Sequence, residues 1–83
     1  MTITDRIEVN PRVMMGKPVI RGTRITVDLI LRKISEGASA KDLISAYPKL
    51  TRDDIKAAIR YAADILAHEE TIIAGPSRKL VSR

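Results

Sequence analysis

Residues 51–68 run eighteen positions without a glycine or proline, and no other stretch constrains the fold as strongly. Thr51 stands where a helix N-cap accepts a backbone N–H. Asp54, three positions on, completes a capping box, and Leu50 and Ile55 occupy the flanking staple positions. The spacing predicts a helix to about His68. At about 100° per residue, with Ile55 as zero, Tyr61, Ile65, Ala58, Ala62, Leu66, Ile59 and Ala63 fill an arc of about 200°, whereas one core face needs only about 100°. The surplus predicts two packing partners, the domain's own core and a second copy of the chain. The other reading is that Ala58, Ala62 and Ala63 are surface helix formers. Asp53 and Asp54 in the first turn read as dipole and cap partners rather than as an acid–base pair.

Two shorter helices precede this one. Thr26 caps the first, with Asp28 in its first turn, Ile25 stapled against Ile30, an apolar face of Val27, Ile30, Leu31 and Ile34, and Gly37 as a left-handed stop. Ser39 and Asp42 form the capping box of the second, whose apolar face is Ala40, Leu43, Ile44 and Tyr47 and which Pro48 ends. Nearer the start, Arg6-Ile7-Glu8-Val9 alternates and meets Asn10-Pro11, the pattern of a short half-buried strand. Val13-Met14-Met15-Gly16 fits no single element. Pro18-Val19-Ile20-Arg21 and Arg24-Ile25-Thr26 flank Gly22-Thr23, which predicts a hairpin with a type II′ turn. In that hairpin Arg21 and Arg24 face each other. Either both splay into solvent, or an anion such as a phosphate or a carboxylate holds them together.

The expected fold class is therefore mainly α: a small helix-turn-helix three-helix bundle, winged-helix or homeodomain-like, with a short N-terminal β-hairpin. Residues 1–70 form the domain and residues 71–83 a flexible basic tail. A chain of 83 residues without cysteine has a thin core and no covalent staple, which favours self-association. No apolar run exceeds three residues and no basic-then-apolar leader opens the sequence, so a cytoplasmic protein with no membrane partner is expected.

Catalytic equipment is sparse. His68 is the one histidine, and with no cysteine it completes neither a metal site nor a nucleophile–base pair. Gly16-Lys17-Pro18 lacks the upstream glycine of a phosphate loop, and its proline removes a backbone donor. No enzyme, metal or cofactor is expected. The charge balance of +5 comes from the ends. Residues 1–30 carry five basic and three acidic side chains, residues 31–70 seven of each, and residues 71–83 three basic and none acidic. A basic surface suits an anionic partner. Residues 47–51 join the second helix to the third in the layout of a helix-turn-helix, whose second helix presents its N-terminal residues to the major groove. Lys49, Arg52, Lys56 and Arg60 would then face DNA, Arg21 and Arg24 would add phosphate contacts, and Asp53 would oppose the phosphates. The rival is a protein–protein adaptor that uses the same bundle and never touches DNA, a reading that the neutral middle segment favours.

The string Gly16-Lys17-Pro18-Val19-Ile20-Arg21-Gly22-Thr23-Arg24-Ile25, the helix ending at Gly37, Tyr47-Pro48, Leu50-Thr51, Asp54-Ile55 and Tyr61 closely resemble the domain-of-unknown-function 433 family of small prokaryotic proteins. Met15 stands where a small residue is common in that family, and Thr26 where proline often stands. The resemblance implies a dimeric helix-turn-helix protein with a short β element. It further implies a cytoplasmic, homodimeric VapB-like antitoxin of a type II toxin–antitoxin pair, which neutralises a PIN-like ribonuclease toxin by contact and, usually as a complex, binds its own operator DNA as a transcription repressor. Arg78, Lys79 and Arg83 of the tail are the residues expected to meet the toxin's acidic site.

Overall fold

The computed structural model describes residues 5–73. In chain order they form strand β1 (Ile7–Glu8), strand β2 (Val19–Ile20) and helices α1 (Val27–Ser35), α2 (Ala40–Ala46) and α3 (Arg52–Ile73). The result is a small, mainly helical domain with one short antiparallel strand pair.

Each helix begins where its cap predicts. The Thr26 hydroxyl accepts the Leu29 N–H at 3.1 Å. Ser39 and Asp42 exchange both capping-box hydrogen bonds, at 2.9 and 3.1 Å, and Thr51 and Asp54 do the same at 3.0 and 3.1 Å. Gly37, at φ +103°, closes α1. Its N–H donates to the Ile34 carbonyl at 2.9 Å and the Ala38 N–H to that of Lys33 at 3.0 Å, so two orphan carbonyls are satisfied. The third helix extends to Ile73, five residues past His68, because the first glycine and proline beyond it are Gly75 and Pro76. From residue 74 onward the expected tail lies outside the described residues.

The β element differs from the expected hairpin. β2 pairs with β1, Ile7 opposite Ile20 and Glu8 opposite Val19, while its other edge makes a single bridge from Val19 to Thr26. The tight turn is residues 20–23, not a two-residue Gly22-Thr23 loop. The Thr23 N–H reaches the Ile20 carbonyl at 3.0 Å, and Gly22, the turn's third residue, has φ +79°. That position calls for positive φ in a type II turn, whereas type II′ places it at the second residue. The Thr23 side chain explains the wider loop. Its hydroxyl donates to the Ile20 carbonyl at 2.7 Å and accepts the Ile25 N–H at 3.0 Å, so it stands in for ladder hydrogen bonds. Arg21 and Arg24 are therefore loop residues rather than cross-strand neighbours.

The ambiguous stretch before β2 is a left-handed turn. Met14, Met15 and Gly16 all have positive φ (48°, 57° and 85°), conformations that cost a residue with a side chain roughly 1–2 kcal/mol.

The core joins the strand pair to all three helices: Ile7 and Ile20, Val27 and Ile30, Leu43, Leu50, Ile55 and Ala58 are buried together. Both staple residues of α3, Leu50 and Ile55, belong to it. The first half of α3 packs inward through Ile55, Ala58 and Tyr61, while Ile59, Ile65 and Leu66 remain exposed, at 46%, 40% and 62%. Part of the broad apolar arc is thus spent on the core, and Ile59, Ile65 and Leu66 face outward. Among the described residues no helix is long and apolar enough to cross a membrane.

Candidate functional site

The first turns of α3 combine a helix N-terminus with cations at regular intervals. Arg52, Lys56 and Arg60 follow one another at four-residue steps, about 6 Å each along the axis. All three are exposed, as is Lys49 in the connection that leads into the helix. That connection is held by a turn in which the Leu50 N–H donates to the Tyr47 carbonyl at 2.8 Å, with Pro48 at the second position where its fixed φ fits.

The acids in this turn are claimed from elsewhere. Arg6, just before β1, donates from Nη1 to Asp54 Oδ1 at 3.0 Å, and its Nη2 lies 3.6 Å from Asp53 Oδ2. Asp54 is only 6% exposed, and its other oxygen accepts the Thr51 N–H, so both oxygens are engaged. Burial of a carboxylate is tolerable only with this degree of pairing. Asp53, expected to oppose phosphates, instead shares the Arg6 guanidinium. Arg60 pairs with Asp64 at 3.4 Å. Among the described residues no carboxylate lies within ion-pair reach of Arg24, Lys49, Arg52 or Lys56.

Two of the candidate cations line one groove of about 610 Å³, together with Glu8 and Val13, the rest of residues 22–25 of the turn, and residues 46–48 at the end of α2. Arg24 and Lys49, 25 positions apart in sequence, are brought together here. Arg21 is exposed and does not line the groove. Its N–H joins the β1 edge at the Arg6 carbonyl, 2.8 Å away. Arg78, Lys79 and Arg83 lie outside the described residues.

A smaller apolar cleft of about 290 Å³ opens between α1 and α3 around Pro18, Val27, Leu31 and Tyr61. Asp28 at its edge has its carboxyl held below the ordinary range by the Thr26 hydroxyl, which donates to it at 2.6 Å, with help from Lys17 and Arg32. Asp42 is lowered likewise by the Ser39 backbone N–H of its capping box. Among the described residues no three His or carboxylate side chains are grouped to hold a metal ion.

Sequence reasoning missed Arg6. Its partner Asp54 is 48 positions away, and alternation around Ile7 indicates only that the Arg6 side chain leaves the core face.

Comparison with known proteins adds the following. Residues 7–62 match the family described as "Protein of unknown function (DUF433)". A crystal structure of a DUF433 member protein from Anabaena variabilis superposes with a TM-score of 0.72 at 33% identity, covering 87% of this chain and 71% of that one. An uncharacterized protein, y4eO, from Sinorhizobium fredii is 34% identical over 53 residues. The match takes in 64% of this chain but only 24% of that relative, so the chain spans about a quarter of the curated protein's length.

Proposed function

The chain belongs to the DUF433 family of proteins of unknown function, and on that premise we propose that it is a non-catalytic, homodimeric antitoxin that binds operator DNA and neutralises a PIN-like ribonuclease. The α2–α3 pair serves as the helix-turn-helix. Arg52 and Lys56 approach bases or phosphates from α3, while Lys49, Arg60, Arg21 and Arg24 add phosphate contacts. The observation that carries this reading is the Arg6 clamp on Asp53 and Asp54. By sequence the recognition turn is electrically mixed. In the fold Asp54 is buried against Arg6, from just before β1, and Asp53 shares that guanidinium, so one cation offsets part of the acid charge while Lys49, Arg52 and Lys56 face solvent. The exposed Ile59, Ile65 and Leu66 supply an apolar surface for a second copy. Arg78, Lys79 and Arg83 are assigned to the carboxylates of the ribonuclease's metal site.

The test is co-expression with the neighbouring gene, followed by binding to the upstream DNA at two salt concentrations. Co-purification and a log–log salt slope of about −0.9 per phosphate contact support the reading. A flat slope or no shifted DNA turns the bundle into a protein-binding adaptor. Full neutralisation by a chain truncated after Ala74 removes the tail residues from the toxin contact.

A further inference from the structure

The groove between the 22–25 turn and the end of α2 shares only Arg24 and Lys49 with the face assigned to DNA. Its remaining lining is unlike a DNA surface. Val13, Ile25, Ala46, Tyr47 and Pro48 give it an apolar floor, and its volume of about 610 Å³ falls in the range of built ligand sites, about 300–1,000 Å³. Its walls are preorganised. Thr23 ties one side through hydrogen bonds of 2.7 and 3.0 Å, and the Leu50 to Tyr47 turn fixes the other at 2.8 Å.

We propose that this groove docks an acidic peptide segment of a partner protein, with an apolar side chain seated against Ile25 and Tyr47 and a neighbouring carboxylate held by Arg24 and Lys49. The charges select this occupant. Among the described residues Arg24 and Lys49 have no carboxylate partner and Glu8, the one acid in the lining, has no cation partner. A nucleic acid would bring phosphate to every part of the groove, including the surroundings of Glu8. A peptide alternates carboxylates, apolar side chains and backbone N–H donors, so it can meet the two cations and Glu8 at once. Beyond Val13 the chain presents two exposed thioethers, Met14 and Met15, the kind of adaptable apolar surface that suits a protein partner. The proposal deepens the partner half of the reading above and stands without its DNA half.

The test titrates the full chain, observed by amide NMR, with a short capped peptide that alternates glutamate with leucine and phenylalanine. A glutamate–serine peptide and a single-stranded oligonucleotide are run beside it. Shifts centred on Gly22, Thr23, Ile25, Ala46 and Tyr47 are expected with the first peptide. The pair Arg24→Glu and Lys49→Glu should weaken its binding about tenfold or more. The pair Arg52→Glu and Lys56→Glu, which leaves the groove intact, should weaken duplex DNA binding and change peptide binding by no more than about twofold, the size of a screened long-range effect. The proposal is overturned if the apolar peptide gives no shifts, if the glutamate–serine peptide binds as tightly, if both charge reversals cost the same, or if the oligonucleotide occupies the groove more tightly than the peptide. Loss of DNA binding alone counts against the operator reading and leaves the groove assignment in place.

Discussion

Asp54→Asn is the substitution that most sharply tests how α3 is anchored. Both carboxylate oxygens face donors: Oδ1 takes Arg6 Nη1–H and Oδ2 takes the Thr51 N–H, each at 3.0 Å. An amide has one acceptor oxygen, so its NH₂ must face one of these two donors. The site is 6% exposed and water cannot relieve the conflict. The cost of a buried unsatisfied pair is about 2–3 kcal/mol. Asp54→Ala loses the capping-box hydrogen bond from the Thr51 N–H, about 1 kcal/mol, and the Arg6 hydrogen bond, discounted to about 1 kcal/mol because the Arg6 side chain is 43% exposed. Asparagine, though nearly isosteric, should therefore destabilise at least as much as alanine, lowering Tm by about 10–20 °C in a domain of this size. Asp42→Asn is the internal control. That carboxylate caps Ser39 with one oxygen at an exposed site, so the amide keeps its oxygen on the Ser39 N–H, turns its NH₂ to water and costs little. With Arg6→Ala in the background, the Asp54→Asn penalty should shrink to the Asp42 level, a coupling of about 1–2 kcal/mol. Urea melts followed by far-UV circular dichroism measure all of these variants. Equal costs for Asp54→Asn and Asp42→Asn, or no coupling to Arg6, would refute the double use of the carboxylate.

Acid should destabilise the fold through Asp28 and Asp42. Both carboxyls are lowered in the folded state, so their contribution is complete above the unfolded value, near 3.8, and is lost as pH falls through the folded values. Urea midpoints should drop below about pH 4, and Asp28→Asn with Asp42→Asn should flatten that drop. Met15→Gly should stabilise by about 0.5–1 kcal/mol, since it relieves a left-handed side chain that is 88% exposed. A loss in the same urea assay would mean that the methionine makes contacts its exposure denies. Leu66→Glu should convert a dimer to a monomer in sedimentation without lowering the helix content, and a wild-type chain that sediments as a monomer defeats the second-copy reading of α3. Arg6→Ala should weaken DNA binding severalfold at low salt and less at high salt, because it releases Asp53 and Asp54 without removing any α3 cation.

The helices were legible because their signals are local. A cap, its partner three residues on, and the staple lie within one turn of chain, and Thr26, Ser39, Thr51 and Gly37 all perform in the fold the task their spacing suggests. The strand pairing was not legible. Gly22-Thr23 satisfies the local rule for a two-residue hairpin, but the Thr23 hydroxyl and the longer-range pairing of β2 with β1 determine the turn instead. The extent of α3 was underread for the opposite reason: weak helix formers such as Thr71, Ile72 and Ile73 continue a helix when nothing stops it. Of the site, the α3 cations were visible as a four-residue repeat, while the shared groove of Arg24 and Lys49 and the Arg6 clamp depend on tertiary placement.

A segment's net charge therefore says little about the charge of a surface. Residues 31–70 are neutral by count, yet Asp54 points into the fold and Asp53 shares an arginine from outside the segment, so part of the acid charge beside the α3 cations is offset by a residue the count leaves out. The same placement divides the cations into two sets. Arg52, Lys56 and Arg60 lie on α3 alone, whereas Arg24 and Lys49 sit where the helix face meets the groove. An acidic segment seated in the groove consumes the second set and leaves the first free. It then removes only part of the attraction for phosphate, so if the proposed operator binding holds, a bound partner should weaken it by the share carried by two cations rather than abolish it.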